Sequence, residues 1–411
     1  TNKESWWKMK KLILIPLILI LTGCWNYYEL NNLAICTGIA IDKTEDKYEV
    51  TYLISNAKKN ETSAKEGEAG TTTYSGIGDT IQDAINDLKI KMPFEPYSGH
   101  LVVTIISEDV AKDGIENILD YLARDTESRN FFYILLSKNT KAKNILEIIS
   151  PLQTFPSQTI ASDIETSSAE SSLIYEITYN DFIYTLLEQG INPVLNSVTI
   201  IGDKEKGTDT KELSNTVPQA TIKIDTLGIF KDDKLLGWAS IDESKGINLL
   251  TNNVENFYVK TKCEDKYMMN YVENIKTKTD IDLDNNKVKV KITGKAKILE
   301  TNCKIDLENP ETIKTLEQNI KNELNQIIKD STNLVQNRYT TDVLGYGKII
   351  HKKYPKKWKQ IKDNWDEIFK NLNIEPEFDI KIEDQGSLIQ TIKEAKWKNY
   401  HHYNSVQLNT F

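Results

Sequence analysis

The sequence has few histidines and cysteines, and it lacks the short motifs that commonly mark a catalytic site. It contains four histidines and four cysteines in 411 residues. There is no Gly-x-Ser-x-Gly nucleophile elbow, no phosphate-binding Gly-x-x-x-x-Gly-Lys-Ser/Thr loop and no His-Glu-x-x-His zinc motif. The cysteines are also too scattered for a disulfide-built scaffold or a metal site. These absences disfavour hydrolases and nucleotide-binding enzymes, and we expect neither a cofactor nor a metal.

Basic residues are fewer than acidic residues. The chain has 51 lysines and arginines against 60 aspartates and glutamates, which gives a formal net charge of −9. Loss of residues 1–23 would remove four lysines and one glutamate and leave a net charge of −12. An acidic chain of this kind disfavours nucleic acid as a partner.

The N-terminus has the layout of a bacterial secretory signal. Two lysines follow Met9, an apolar run occupies residues 12–21, and Leu21-Thr22-Gly23-Cys24 comes next. A run of about ten apolar residues is too short to span a bilayer, which takes ~20. Leu-Thr-Gly-Cys has the form of a lipobox, in which the cysteine receives a diacylglyceryl group. We therefore expect residues 1–23 to be a signal peptide, with residues 1–8 upstream of the true start, and Cys24 to attach the mature chain to lipid.

The length suits two or three domains. Strand patterns at residues 33–42, 47–56, 97–107 and 131–136 alternate with helical apolar periodicity, which predicts mixed α/β layers in an N-terminal domain over residues 24–205. The polar residues 57–74 and 156–172 are expected to form a mobile loop and a surface excursion. Apolar residues become scarce near residue 205, which predicts an interdomain linker at residues 206–219.

The second half, residues 220–411, is predicted to be a C-terminal α+β domain, with a candidate subdivision near residue 250. A hairpin at residues 220–239 opens it, and strand patterns follow between residues 256 and 300. Asn309-Pro310-Glu311 predicts the start of a long helix. We expect an antiparallel sheet packed with that helix, and a multi-domain α+β and α/β fold overall. Cys263 and Cys303 could pair, but free thiols are the favoured expectation.

The candidate catalytic and metal-binding residues do not form specific motifs. Ser98 and His100 could be a nucleophile and a base, but a locally hydrogen-bonded histidine is the favoured interpretation. His401 and His402 lack a third metal ligand. Two acidic pairs, Asp379 with Glu383 and Glu375 with Glu377, are interpreted as solvated faces.

A basic run near the C-terminus is the most distinctive surface feature. It consists of Lys352, Lys353, Lys356, Lys357 and Lys359, interleaved with Tyr354 and Trp358. Two interpretations stay open for the lysines: a solvated helix start, or a docking surface for lipid headgroups or an acidic partner. The tryptophan is expected to face the core.

Several motifs together carry a resemblance to a known family. The first is Trp25-Asn26-x-x-Glu29-Leu30-Asn31 directly after the lipobox, followed by Leu33-Ala34-Ile35-x-Thr37-Gly38-Ile39-Ala40-Ile41-Asp42. Others are Tyr97-Ser98-Gly99-His100-Leu101, the segment 119–125, Gly237-Trp238, and Asp342-x-x-Gly345-Tyr346-Gly347-x-x-x-His351-x-x-Tyr354-Pro355-x-x-Trp358. This set resembles the C-subunit lipoproteins of spore germinant receptors, the GerAC-like family. Asn26 departs from it, since Asp is usual there.

The resemblance implies a non-catalytic lipoprotein subunit that is required for nutrient-triggered spore germination. It implies a position on the outer face of the spore inner membrane and a complex with two membrane-embedded partners, the A and B subunits. Besides Cys24, the candidate interaction residues taken from the motifs are Trp25, Glu29, Leu30, Asn31, His351, Tyr354, Pro355 and Trp358. The alternative is an exported substrate-binding or hydrolytic surface lipoprotein.

Overall fold

Two β-sheets organise the chain. The structure, a computed structural model, describes residues 33–55, 70–153, 155–170, 173–263, 266–303, 305–307 and 309–384. Within these ranges, the first sheet has nine strands and the second has four. With the helices packed around these sheets, the expected multi-domain α+β fold is confirmed.

The first sheet has a parallel centre and antiparallel flanks. Its strands are β1 (Leu33–Thr44), β2 (Lys47–Ser55), β3 (Thr71–Gly78), β4 (Glu95–Tyr97), β5 (Val103–Ser107), β6 (Tyr133–Ser137), β7 (Val194–Gly202), β8 (Ala220–Lys231) and β9 (Lys234–Trp238). The order is β3-β2-β1-β5-β6-β7-β8-β9, and β4 pairs with β1. Strands β1, β5, β6 and β7 run parallel, and every residue of β5 is buried. Parallel strands of this kind need cover on both faces, which the helices supply.

The helices of the first half are α1 (Ile81–Lys91), α2 (Glu108–Asp113), α3 (Glu116–Arg124), α4 (Ala142–Leu146), α5 (Pro156–Glu170) and α6 (Tyr179–Leu187). The predicted apolar stripes are confirmed where the structure buries Ile85 and Leu88 in α1 and Leu119 and Leu122 in α3. The cap of α1 is Thr80, whose hydroxyl accepts from the Asp83 amide.

Two polar segments form more structure than their composition indicates. Residues 156–170, expected to be a surface excursion, form the 15-residue helix α5. Pro156 is suited to a first helical position, and Ile160 and Ile164, one turn apart, are both fully buried. Residues 71–74, expected to be loop, begin the strand β3, which pairs along the edge of β2. The remaining part of that predicted loop, residues 57–69, lies outside the described residues.

The hairpin expected to open the second domain belongs to the first sheet instead. Strand β8 pairs antiparallel with β7 from Val194 opposite Ile229 to Gly202 opposite Ala220. The connection between them, which includes the predicted linker at residues 206–219, contains the short helix α7 (Lys204–Gly207) and a 3-10 helix, Thr210–Ser214. Its buried Glu212 accepts the Gln219 amide at 2.8 Å. Capping and turn interactions therefore order a polar connection between two neighbouring strands.

The second sheet follows helix α8 (Ile241–Leu250). Its strands are β10 (Phe257–Cys263), β11 (Lys266–Asp282), β12 (Lys287–Thr301) and β13 (Asn373–Asp384), in that order. The first three are antiparallel as predicted, but β13 runs parallel to β12. The sheet is mixed because helices, rather than a tight turn, connect β12 to β13. Helix α9 (Pro310–Asn333) packs on it through Leu316, Ile320 and Leu324, and Asn309 caps it as predicted.

Cys263 and Cys303 form a disulfide, so the expectation of two free thiols is wrong. Their Cα atoms are 6.1 Å apart, within the range that a disulfide bridges. The β10–β11 pairing ends at Cys263 opposite Lys266, and the β11–β12 pairing ends at Met268 opposite Thr301. Strand register, which the sequence pattern does not specify, therefore brings the two cysteines together.

Candidate functional site

The longest C-terminal motif of the sequence lies in the segment between α9 and β13. A π-helical turn, Leu334–Arg338, ends α9, and the segment continues as α10 (Tyr346–Lys353), α11 (Pro355–Ile361), a 3-10 helix at Lys362–Asn364 and α12 (Trp365–Lys370). The segment therefore consists of several short helices. Pro355 occupies the first position of α11, where its missing N–H costs no hydrogen bond.

Asp342 is at the centre of this segment. Its side chain is buried, and one carboxylate oxygen accepts the amides of Gly345 at 2.8 Å and Tyr346 at 3.3 Å. The other oxygen accepts the Gly347 amide at 2.8 Å and the Trp365 indole N–H at 3.0 Å. The first three donors belong to the N-terminus of α10, where a negative charge is favourable. Gly345 takes a left-handed conformation, with φ of 73°, that lets the chain turn around the carboxylate.

Burial and hydrogen bonding act on Asp342 in opposite directions. Burial raises the pKa of Asp342, and the four N–H donors lower it. Burial has the larger effect, so the resulting pKa is about 6. The group is therefore mainly ionised at neutral pH. Because both oxygens already accept two donors each, the carboxylate has little capacity left for a substrate or a metal. The arrangement suits a structural clamp that fixes Trp365 against the start of α10.

The clamp docks against the loop that follows α6. The Asn192 amide donates to the Asp342 backbone carbonyl at 2.7 Å, and the Lys348 amide donates to the Gly190 carbonyl at 2.8 Å. A Cβ on Gly190 would lie 2.4 Å from the backbone carbon of Gly347. Gly190 also has a φ of 80°, which disfavours other residues. We call this contact between residues 188–192 and the segment 342–365 the Asp342 junction.

Tryptophan and charged side chains complete the Asp342 junction. The Trp358 indole N–H donates to Gln189 Oε1 at 2.9 Å, and its ring packs edge-on against Trp365 with centroids 5.4 Å apart. Glu188 lies 3.5 Å from the Lys352 ammonium and 3.9 Å from His351 Nδ1. The expectation that Trp358 faces the core is confirmed, since 3% of it is exposed.

The structure separates the candidate interaction residues into two groups. His351 and Trp358 meet inside the Asp342 junction, with ring centroids 5.9 Å apart. Tyr354 and Pro355 are exposed and do not join them. The five N-terminal positions, Cys24, Trp25, Glu29, Leu30 and Asn31, lie outside the described residues. Interaction roles for all of these residues stay predictions.

The sequence interpretation missed the partners of Trp358 and the role of Asp342. Gly190 carries no motif signal in the sequence, and the structure shows its close backbone contact with Gly347. Asp342 was noticed in the motif without a role. A signal was present, because an aspartate three residues before Gly-x-Gly at the start of an apolar helix is typical of a cap.

The lysines of the basic run are partly neutralised by neighbouring acids. Lys353 pairs with Asp280 at 3.0 Å, and Lys357 lies 3.7 Å from Asp284. These contacts, with the Lys352 contact to Glu188, make the face mixed in charge. Both interpretations of the lysines stay predictions.

The other candidate groups do not assemble into a catalytic arrangement. The Ser98 hydroxyl donates to Asp125 at 2.7 Å, and His100 is exposed beside the Tyr97 ring. Glu375 pairs with Lys287 at 2.9 Å and Glu383 with Lys295 at 2.7 Å. His401 and His402 lie outside the described residues.

The described ranges contain neither a metal-binding cluster nor a membrane-spanning helix. No group of three or more histidine, cysteine, aspartate or glutamate side chains is arranged to hold a metal ion there. No helix in that part of the chain combines the length and the apolar character needed to cross a membrane.

Comparison with known proteins gives consistent matches along the chain. Residues 26–200 match the family described as "Spore germination protein N-terminal domain", and residues 225–386 match "Spore germination B3/ GerAC like, C-terminal". Spore germination protein KC of Bacillus subtilis (strain 168) is 29% identical over 367 residues, which cover 86% of this chain and 90% of that protein. Spore germination protein B3 of the same organism is 25% identical, with coverage of 92% and 97%.

A solved structure supports the fold. The crystal structure of the GerBC protein matches with a TM-score of 0.51 and 21% identity, covering 85% of this chain and 97% of that chain. The chain therefore belongs to the GerAC-like family of spore germination proteins, the germinant-receptor C-subunit family, and has a role in spore germination.

Proposed function

We propose that this chain is the lipid-anchored, non-catalytic subunit of a germinant receptor complex. In this proposal Cys24 carries the lipid, and the folded part of the chain acts with the A and B membrane subunits at the outer face of the spore inner membrane. The single observation that carries the proposal is the match of both family domains, in order, over residues 26–200 and 225–386. The family is a receptor-subunit family and is not a known enzyme family.

The geometry of the Asp342 junction supports a scaffolding role. The motif that supplied half of the candidate interaction residues uses Asp342, Trp358 and Trp365 to join the two halves of the chain. A catalytic carboxylate needs access to a substrate proton, whereas Asp342 is buried and accepts four N–H groups. This favours a rigid body that presents surfaces to partners over an enzyme.

The negative net charge of the chain favours a lipid anchor as the means of membrane attachment. A mature net charge of −12 would be repelled on average by anionic headgroups, so surface charge alone would not hold the chain at the membrane. One acyl chain gives marginal binding and two give stable anchoring. A diacylglyceryl group on Cys24 would meet that requirement.

The lipid attachment is tested by metabolic labelling with a fatty acid. Wild type should be labelled and Cys24→Ala should not. Cys36→Ala is the matched control, because Cys36 is a free thiol buried in β1. Equal labelling of wild type and Cys24→Ala would contradict the anchor.

The receptor role is tested by deleting the gene and following nutrient-triggered germination of the spores. The deletion should abolish or strongly slow the response to at least one nutrient, while spore yield and heat resistance stay normal. Wild-type complementation should restore the response, and Cys24→Ala should restore it poorly. Normal germination together with loss of growth on a carbon source would favour an exported binding or hydrolytic lipoprotein instead.

Partnership is tested by affinity purification of the tagged full chain from spore membranes. The two membrane-embedded subunits should co-purify with wild type. Their absence after mild crosslinking would contradict membership of a receptor complex, even if germination depended on the gene.

A further inference from the structure

A cavity that shares no lining residue with the Asp342 junction lies beneath helix α5. Its volume is about 430 Å³, and it is bounded by α5, the turn after α4 and the first residues of β8. Aliphatic side chains form most of its wall, among them Ile145, Ile148, Pro156, Ile160, Pro218 and Ile222. Its size and apolar wall are typical of sites that bind small molecules.

Two acceptor groups are placed at this cavity without partners. Gln153 donates its amide N–H to the Ser162 hydroxyl at 3.1 Å, but its buried Oε1 has no hydrogen-bond partner in the described part of the chain. Asp163, the next residue along α5, also has no ion pair or hydrogen bond there, and partial burial raises its pKa. An acceptor left unpaired in this way costs free energy that a donor from a ligand would recover.

The charge of the lining selects the class of ligand. Asp163 is its acidic residue, and the described lining contains no lysine, arginine or histidine. A carboxylate or phosphate group would enter beside Asp163 with no cation to compensate it. A zwitterionic amino acid is disfavoured for the same reason, whereas an ammonium group would supply donors and the opposite charge.

We propose that this cavity is a binding site for a small primary ammonium compound with an apolar body. The ammonium group donates to Asp163 and to Gln153 Oε1, and the alkyl part lies against Ile145, Ile160 and Ile222. The site goes beyond the receptor role proposed above. Its test uses purified protein and no spores, so either proposal can fail without the other.

The test measures binding of hexylamine to the purified full chain in lipid nanodiscs, by calorimetry, with empty nanodiscs as the blank. Hexanol and hexanoate are the matched neutral and anionic probes. Asp163→Asn removes the charge and keeps the shape, and Glu170→Gln removes an exposed charge from the same helix. Thermal unfolding of each variant shows whether the fold is retained.

We expect saturable binding of hexylamine, at least tenfold weaker binding to Asp163→Asn, and unchanged binding to Glu170→Gln. Hexanol should bind weakly and equally to all three proteins, and hexanoate should not bind. Absence of saturable hexylamine binding to folded wild type would overturn the proposal. Equal affinity of wild type and Asp163→Asn for hexylamine would also overturn it, because the selectivity for an ammonium group would then have another origin.

Discussion

Replacing Asp342 by asparagine should destabilise the Asp342 junction while leaving its shape nearly unchanged. The carboxylate accepts four N–H donors, two on each oxygen. The asparagine amide keeps one oxygen and presents an NH₂ group to the other two donors. Each buried donor left unpaired costs about 1–3 kcal/mol, and removal of a buried charge offsets part of that sum. We therefore expect Asp342→Asn to lower the free energy of unfolding by about 2–4 kcal/mol at pH 7.5.

The assay is urea unfolding followed by tryptophan fluorescence, because Trp358 and Trp365 are both buried in the Asp342 junction. Asp363→Asn is the matched control, since the Asp363 side chain is 90% exposed and lies 3.9 Å from Lys362. The control should stay within about 0.5 kcal/mol of wild type. If Asp342→Asn is equally mild, the four hydrogen bonds do not support the junction and the reasoning is refuted.

Three other predictions concern pH, the disulfide and the glycine contact. The pKa of Asp342 is raised to about 6, so the folded chain keeps a proton that the unfolded chain releases at lower pH. The stability from that proton is full below the ordinary pKa and is lost as pH rises through 6. The excess stability of wild type over Asp342→Asn should thus be about 1.4 kcal/mol greater at pH 5 than at pH 7.5. A smaller excess at pH 5 would mean that folding lowers the pKa of Asp342 and would contradict this prediction. The disulfide links residues 40 apart, so Cys263→Ser/Cys303→Ser should lose roughly 4 kcal/mol in unfolding experiments without reductant; no loss would mean that the bond does not form or does not constrain the unfolded chain. A Cβ on Gly347 would lie 2.8 Å from the Gly190 carbonyl oxygen, so Gly347→Ala should cost about 1–3 kcal/mol in the urea assay, whereas exposed Lys359→Ala should cost little.

Local signals predicted the elements whose conformation depends on neighbours in the sequence. The strand patterns of β1 and β2, the stripe of α3 and the Asn309 cap of α9 all follow from residues within a few positions of each other. Helix α5 was missed because two buried isoleucines suffice where one face of a polar helix packs on a sheet.

Pairings between distant residues could not be predicted in the same way. The residue pattern of strand β8 is the same whether the strand begins a second sheet or extends the first. Its pairing with β7 determines that it belongs to the first sheet. The parallel partner of β13 and the Cys263–Cys303 bond depend on register over tens of residues. The contacts of the candidate site could not be predicted for a similar reason. Trp358 is a motif residue, but Gln189, its hydrogen-bond acceptor, lies 169 positions away in the sequence.

The Asp342 junction limits what the C-terminal motif can indicate about partners. Asp342, Gly347, Trp358 and Trp365 all have a packing or hydrogen-bonding reason to be the residues they are. A motif built from such residues resembles a binding site in sequence, because aromatic and charged side chains are common to both. Among the motif residues, Tyr354 is exposed and lacks such a packing reason, whereas the exposed Pro355 begins α11. If this segment contacts a membrane subunit, the contact is therefore expected at Tyr354 and the surrounding lysines, and substitution of Trp358 would disturb it only through the fold.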